Sequence, residues 1–508
     1  MSRTLLRMTG IAKQFPGVQA LDGVAFDVEE GEVHGLLGEN GAGKSTLLKI
    51  ISGALQPDAG TIEFDGSTLA LTTPEAALAL GIVTIYQEFN LVPSLTVAEN
   101  VFLGREPVTG PFVSWKTMRR DTRALAVRYG LDLPANRLVR NLSVAQQQMV
   151  EIARALSVRS RLIIMDEPTS ALSDTESQRL FAIMRDLRRD GISTIFVTHR
   201  LSEVLQICDR VTVLRDGRIS GKAATAGLTV DSIIRMMVGR SAAELFEPLP
   251  ARSPGSAILT VRGLSRRGAV DDPRAVLLDE INFELRRGEI LGIAGLIGSG
   301  RTELARCLFG ADPKTAGDTI IADEVVAITT PEHAISHGIG LVPEDRKQQA
   351  LFLDLAVREN LSIAALSKLS RFGFVKLRAE QALVRNYRES LNIRMASDEQ
   401  SVKNLSGGNQ QKVVLARWLA LGPRILIVDE PTRGIDVGAK AEVHQLLHRM
   451  ATSGIAIIAI SSELPEVLAI SDRILTMRAG RITGEVSRAS ASEEILMHLM
   501  TIGKAEAA

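Results

Sequence analysis

The chain has 508 residues, 45% of them hydrophobic, with 59 Lys+Arg set against 59 Asp+Glu. That length exceeds what one core serves and implies two or more domains, while the balanced charge argues against a nucleic-acid coat or a wholly acidic partner surface. Two cysteines, Cys208 and Cys307, cannot build a disulfide framework, the N-terminus lacks a charged-then-apolar leader, and apolar runs such as Gly454–Ile460 fall far below the roughly 20 residues that span a bilayer. A cytosolic chain is expected, with any membrane role borrowed from a partner.

In chain order, GEVHGLL from Gly31 reads as a buried strand, Gly38–Thr46 as the loop GENGAGKST, and STLLKIISG as a helix ending at Gly53. The loop matches G-x-x-x-x-G-K-[ST] in the strand–loop–helix setting which that pattern needs. Gly38, Gly41 and Gly43, with Glu39, Asn40 and Ala42 between them, let the backbone curl into a nest of N–H donors at a helix N-terminus. Lys44 is expected to reach the β- and γ-phosphates of a nucleotide, and Ser45, followed by Thr46, to offer a hydroxyl to Mg²⁺.

The same module is written twice. GEILGIAGLIGSGRTEL, Gly288–Leu304, repeats the strand, loop and helix with Arg301 in the place of Lys44, an offset of 257. At that offset GIVTIYQE pairs with GIGLVPED, so that Gln87 corresponds to Glu344. LSVAQQQMVEIARAL from Leu142 matches LSGGNQQKVVLARWL from Leu405 at an offset of 263, implying a six-residue insertion in the second half. LIIMDEPTSAL and ILIVDEPTRGI keep the new offset, as do the hairpin-like RVTVLRDGRI and RILTMRAGRI. Domains are expected at 1–243 and 257–508, joined by a Pro- and Ser-containing linker at 244–256. Apolar strands alternating with amphipathic helices predict an α/β fold with a largely parallel core sheet. Between each glycine loop and the later repeat lies a mostly helical segment whose charged faces need only solvation.

With these motifs in order and in duplicate, each half resembles an ATP-binding-cassette (ABC) nucleotide-binding domain. The fused pair is similar to the ATPase subunit of the ribose, galactose and xylose class of bacterial sugar importers. The resemblance implies two P-loop domains, each a RecA-like α/β core with an antiparallel β part and a helical subdomain. It also implies head-to-tail sites in which the glycine loop of one half faces the serine-led signature of the other. The first site would join Lys44, Ser45, Gln87, Asp166, Glu167 and His199 to Ser406, Gly407 and Gly408. In it Asp166 holds Mg²⁺, Glu167 acts as general base, Gln87 senses metal and water, and His199 contacts the γ-phosphate. Phe15 could stack on adenine or belong to the core.

The second site would join Gly295, Gly298, Gly300, Arg301, Thr302, Asp429 and Glu430 to Ser143, and departs from the pattern repeatedly. Arg301 replaces the lysine, Glu344 the glutamine, Ser462 the histidine, Val144 and Ala145 the signature glycines, and Asp272 the aromatic. Thr302, Asp429 and Glu430 remain as metal and base positions, so one hydrolytic site and one slow or purely binding site are expected.

The resemblance further implies ATP and Mg²⁺ as cofactors, integral-membrane permease subunits as partners, an indirect periplasmic or extracellular sugar-binding protein, and no nucleic acid. The location implied is peripheral, on the cytoplasmic face of the inner membrane. The stretches from Glu88 and Asp345 put apolar residues in surface-prone loops; in the family a permease coupling helix docks there, and core packing is the other reading. A soluble ribosome-associated tandem cassette, and an importer of nucleosides or sugar derivatives, are the alternatives. The spacings His333/His337 and His444/His448 are read as helix surface, the cysteines as packing residues, and Trp115 and Trp418 as no sugar platform.

Overall fold

The computed structural model describes residues 3–15, 18–69, 73–86, 89–170, 172–198, 200–241, 252–268, 277–296 and 298–502. Gln87, Glu88, His199, Asp272 and residues 244–251 of the expected linker lie outside them. The chain divides into two compact units, Met1–Glu244 and Leu245–Ala508.

In the first unit β1 (Thr4–Phe15), β2 (Val18–Glu29), β4 (Ala59–Phe64) and β5 (Ser67–Leu69) form an antiparallel sheet in the order β2-β1-β4-β5. A six-stranded sheet follows the order β12-β11-β3-β10-β9-β6, from β3 (Val33–Gly38), β6 (Ile82–Ile85), β9 (Leu162–Asp166), β10 (Ser193–Val197), β11 (Arg210–Arg215) and β12 (Arg218–Ala224). All neighbours in it are parallel except the hairpin β11–β12. A parallel sheet is covered on both faces, which is why Leu162–Met165 and Ser193–Val197 are buried without a break. The helix Lys44–Ile51 lies between the sheets. Its Leu47, Ile50 and Ile51 meet Leu6, Met8 and Phe26 from one sheet and Leu36, Ile164 and Ile195 from the other, each buried side chain contributing about 1.5–3 kcal/mol. The phosphate loop is thereby anchored at both ends.

One buried charge cluster ties the edges of this core. Glu32 accepts from His34 Nδ1 (2.8 Å) and from Arg210 Nε (2.8 Å). Burial pushes its carboxyl up, but these donors outweigh burial and bring it down to about 2.

A helical part leaves the core after β6. It holds the helices Val97–Phe102, Trp115–Arg128 and Val144–Leu156, with the two-residue strands β7 (Val108–Thr109) and β8 (Phe112–Val113) forming a hairpin between the first two.

The second unit repeats the plan. β13 (Ala257–Arg266), β14 (Leu278–Arg286), β16 (Ala316–Ile321) and β17 (Glu324–Val326) make its antiparallel sheet. Its core sheet is ordered β18-β21-β22-β15-β23-β24, from β15 (Ile290–Gly295), β18 (Ile339–Val342), β21 (Ile425–Asp429), β22 (Ala456–Ile460), β23 (Arg473–Arg478) and β24 (Arg481–Ser487). β19 (Ser370–Arg371) and β20 (Phe374–Val375) form the small hairpin.

The six extra residues are not one loop. Corresponding helices begin at Val97 and Val357, then at Trp115 and Leu377, then the short turns at Val139 and Val402. The offset therefore rises in three steps, the first taken up by the π-helical turn Arg346–Ala350.

Cys208 and Cys307 are buried and unpaired with each other, as packing residues should be; burial pushes the Cys307 thiol up to about 11. The helix-surface reading of His444 is corrected. That residue is buried, and its Nε2 lies 2.8 Å from the buried carboxylate of Glu466. His333 is exposed as expected.

Candidate functional site

Each phosphate loop begins where the central strand of its core sheet ends. Gly38 closes β3 at φ 149°, where a Cβ would collide with the carbonyl oxygen of Leu214 on β11, and Gly43 precedes the helix at φ 104°, where a Cβ would sit 2.6 Å from Ala20 O. Only glycine fits either place. Gly41 is also left-handed, at φ 86°, but in open space, which gives the loop its curl without a packing demand.

Lys44 Nζ donates to the carbonyls of Gly38 (2.6 Å) and Glu39 (2.9 Å), so its charge is centred in the mouth of its own loop. Ser45 and Thr46 occupy the first turn of the following helix, which carries no acidic residue there. The positive end of that helix is left to an anion.

Arg301 does something else. Its Nη1 donates to Ser461 O at the end of β22 (2.6 Å), and its Nη2 lies 3.6 Å from Glu430 Oε1, both side chains being about nine-tenths buried. The planar guanidinium therefore leaves the loop carbonyls and spans to the neighbouring strand ends. The helix behind it has Glu303 in its first turn, at the place of Thr46, where an acidic side chain competes with phosphate for the helix terminus.

Asp166 and Asp429 end the strands next but one to the loops, and Glu167 and Glu430 follow them. Both glutamates are left-handed, at φ 49° and 47°. Each donates its N–H to the end of the adjacent strand, Glu167 to Val197 O (2.9 Å) and Glu430 to Ile460 O (2.8 Å). A strained glutamate at the same place in both halves marks a position chosen for its side chain.

Burial raises the Asp166 carboxyl, Glu167 beside it adds to the rise, and Lys44 opposes it. In the second unit burial pushes Asp429 up to about 6, against the hydroxyl of Thr302, which hydrogen-bonds it. Glu430 is pushed up to about 7, again chiefly by burial, with Arg301 and Ser462 opposing. Asp429 Oδ1 is buried with no hydrogen-bond partner. A buried carboxylate oxygen beside a threonine hydroxyl is a hard-oxygen donor pair suited to Mg²⁺, an ion held by one or two protein oxygens together with phosphate. No cluster of three or more metal-binding side chains occurs among the described residues.

A residue missed in the sequence organises the loops behind each site. Glu203, buried, accepts from Thr169 Oγ1 (2.8 Å) after β9 and from Thr198 Oγ1 (3.0 Å) after β10. It thus ties the loop following Glu167 to the loop leading to His199. Glu466 does the same for Thr432 (2.7 Å) and Ser461 (2.5 Å), with His444 as an added donor. Burial alone would raise Glu466, yet these donors leave it lowered.

The two signature serines also differ. Ser143 caps its helix in a capping box: its hydroxyl accepts from Gln146 N (3.2 Å) while Gln146 Oε1 accepts from Ser143 N (3.3 Å). Ser406 makes no such cap bond, and its oxygen accepts from Asn409 Nδ2 (2.9 Å). Gly408 is also required by local packing, since a Cβ there would meet the Ala439 methyl at 2.6 Å, whereas the closest neighbour of one at Gly407 would be the end of the flexible Arg346 side chain, 2.7 Å away. Phe15 is 41% exposed at the end of β1, so the core reading of that aromatic fails.

A phosphate loop on the central parallel strand, an acidic pair on another strand end and a serine-led helix, all in duplicate, define a tandem P-loop nucleotide-binding protein. More narrowly, the chain belongs to the ABC transporter family, whose model matches residues 21–170 and 278–433. It is 50% identical to the ribose import ATP-binding protein RbsA 1 of Rubrobacter xylanophilus, over 99% of each chain. It is 49% identical to a putative ribose/galactose/methyl galactoside import ATP-binding protein of Burkholderia ambifaria, over 98% of this chain and 96% of that one. An archaeal ribosome recycling factor, crystallised with a ribosomal stalk protein, aligns with 94% of this chain and 90% of its own at a TM-score of 0.56 and 20% identity. That likeness establishes the fold alone.

Proposed function

We propose that this chain is the ATP-hydrolysing subunit that energises import of a monosaccharide through separate permease subunits, bound peripherally at the cytoplasmic face of the membrane. The observation that carries the reading is identity near one half, over essentially the whole length, with chains named for ribose and galactose import. No described helix is long and apolar enough to cross a membrane, so passage of a sugar falls to other subunits. The ribosome-associated alternative rests only on the shared fold.

In this reading the first unit does the hydrolytic work. The N–H groups of Gly41–Thr46 bind the phosphates and Lys44 turns its ammonium from the loop carbonyls to the β- and γ-oxygens. Ser45 and Asp166 would hold Mg²⁺, which would supply charge neutralisation of the phosphates when bound. Glu167 takes the proton of the attacking water, with Gln87 and His199 orienting water and γ-phosphate, and Phe15 stacks on the base. In the second unit Gly295, Gly298, Gly300 and Thr302 keep a nucleotide cradle. Its base position is engaged by Arg301, so it binds nucleotide more than it hydrolyses it. Ser406, Gly407, Gly408 and Ser143 are the positions that would contact nucleotide phosphate from the serine-led helices.

A cavity of about 430 Å³ on the first unit, lined by Ile85, Tyr86, Asn90, Arg105, Glu151 and Arg154 among others, is the proposed seat of the permease segment. It adjoins the loop that carries Gln87, so docking and nucleotide state share one element. The test is mass-spectrometric identification of what co-purifies from detergent-solubilised native membranes with the Glu167→Gln chain and ATP. A polytopic permease is expected; ribosomes without a permease would overturn the importer reading.

A further inference from the structure

The geometry points to direct contact between this chain and an anionic lipid surface, made by the small hairpin in the helical part of each unit. Among the described residues seven aromatic side chains are exposed, and four of them, Phe112, Trp115, Phe372 and Phe374, lie on or beside these two hairpins. Phe112 is 75%, Phe372 87% and Phe374 80% exposed, with Val108, Val113, Val375 and Leu377 beside them also exposed. Soluble surfaces scatter such residues singly; two corresponding clusters need a reason.

The turns sharpen the point. The β19–β20 turn is made by Phe372 and Gly373, both left-handed, at φ 55° and 81°. A two-residue turn of that kind favours Asn, Asp or Gly at its first position, and a bulky residue there is strained. In exchange Phe372 gains only the guanidinium of its neighbour Arg371, 5.2 Å from the ring centre, and stays 87% exposed. Folding therefore does not explain it, and an outside partner does.

Charge identifies the partner. The whole chain is neutral, yet residues 105–128 hold six Lys/Arg against two Asp/Glu, and residues 368–388 hold six against one. Lys116, Arg119, Arg120 and Arg123 are exposed on or at the helix leaving the first hairpin, and Arg371, Lys376 and Arg378 flank the second. Solvation accounts for the charges but not for the aromatics among them. Exposed aromatic tips set in a cationic surround suit the interface of a bilayer with anionic headgroups. The inference takes its biological setting from the importer reading, but vesicles without any permease test it separately.

The experiment is flotation of the full chain with vesicles of phosphatidylcholine alone, or of phosphatidylcholine and phosphatidylglycerol in equal parts. Binding is expected to the anionic vesicles only, and to be released by high salt. Arg119→Glu with Arg123→Glu should lower partitioning at least about fivefold per arginine, and Phe112→Ser with Phe372→Ser and Phe374→Ser should abolish it, with basal ATPase unchanged in both. Lipids brominated in the upper acyl chain should quench Trp115, an effect lost in Trp115→Phe. No flotation on anionic vesicles, or flotation unchanged by the Phe replacements, would overturn the inference. So would binding that appears only with a permease in the vesicles, which would assign the hairpins to a protein partner.

Discussion

Replacing Glu167 and Glu430 by glutamine, one at a time, tests whether the two halves divide their labour as the side chains indicate. In the first unit the glutamate stands strained beside Asp166, and removing a general base costs about 10²–10⁴ in rate, or about 3–5 kcal/mol. In the second, Arg301 lies 3.6 Å from Glu430. A full charge pair at that distance attracts by about 5 kcal/mol at an effective dielectric of 20, but burial outweighs this attraction and leaves the Glu430 carboxyl raised to about 7. A phosphate in the second unit must draw the guanidinium from this pair and from Ser461 O. Steady-state phosphate release should fall by at least about a hundredfold in Glu167→Gln and stay near wild type in Glu430→Gln. Photolabelling with azido-ATP, mapped by mass spectrometry to each unit, should increase in the second unit of Glu430→Gln because Arg301 is released. Equal losses of turnover, or weaker labelling of the second unit in Glu430→Gln, would refute the reasoning.

The two signature serines should separate stability from turnover. Ser143→Ala removes a capping box and should destabilise the first unit by about 1 kcal/mol, read as a lowered midpoint in thermal unfolding. Ser406→Ala removes no cap bond and should leave that midpoint in place while lowering ATPase. Glu203→Gln leaves a neutral amide where two hydroxyls and Arg200 converge, and should cost about 1–3 kcal/mol. Its kcat should fall more than its KM rises, since it orients loops without touching nucleotide. Glu32 gives a pH dependence of known sign. Its carboxyl is lowered from 4.5 to about 2 in the folded chain, so its contribution, at most about 3 kcal/mol, is present above pH 4.5 and lost as pH falls toward 2. Urea midpoints between those pH values should fall more steeply for wild type than for Glu32→Gln.

Much of the fold was legible because its strongest signals are local. A phosphate loop needs its glycines, cation and hydroxyl within nine residues, and a doubly covered strand needs an unbroken apolar run, so Lys44, Asp166 and their counterparts could be found by reading along the chain. Glu203 could not. It sits in a seven-residue helix whose pattern gives no hint that it is buried, and one of its partners, Thr169, is 34 residues away. Its recurrence as Glu466 at the same offset of 263 was the available signal. His444 escaped for a related reason: spacing to His448 describes a helix face, but only the fold brings Glu466 against it. Ser143 illustrates the opposite failure. The sequence Ser143-Val144-Ala145-Gln146 spells a capping box, but its correspondence to Ser406 in the repeat, at an offset of 263, points to phosphate instead.

Other ion pairs join Arg301–Glu430 around the second phosphate loop. Arg433 pairs with Glu344, joining the loop after β21 to the loop after β18, and Arg346 donates to the carbonyls of Arg433 and Gly434. Lys440 holds Glu463, just beyond β22, at 2.6 Å. The first unit has Ser170 and Gln87 where Arg433 and Glu344 stand, and Ser177 and Arg200 where Lys440 and Glu463 stand, so neither pair can form there. The loops proposed to meet nucleotide in the first unit are joined in the second by the protein's own charges. Each departure from the consensus, taken alone, reads as decay. Taken together they replace ties that a nucleotide would make with ties that persist without one, which suits a half that serves as a fixed counterpart to a cycling one.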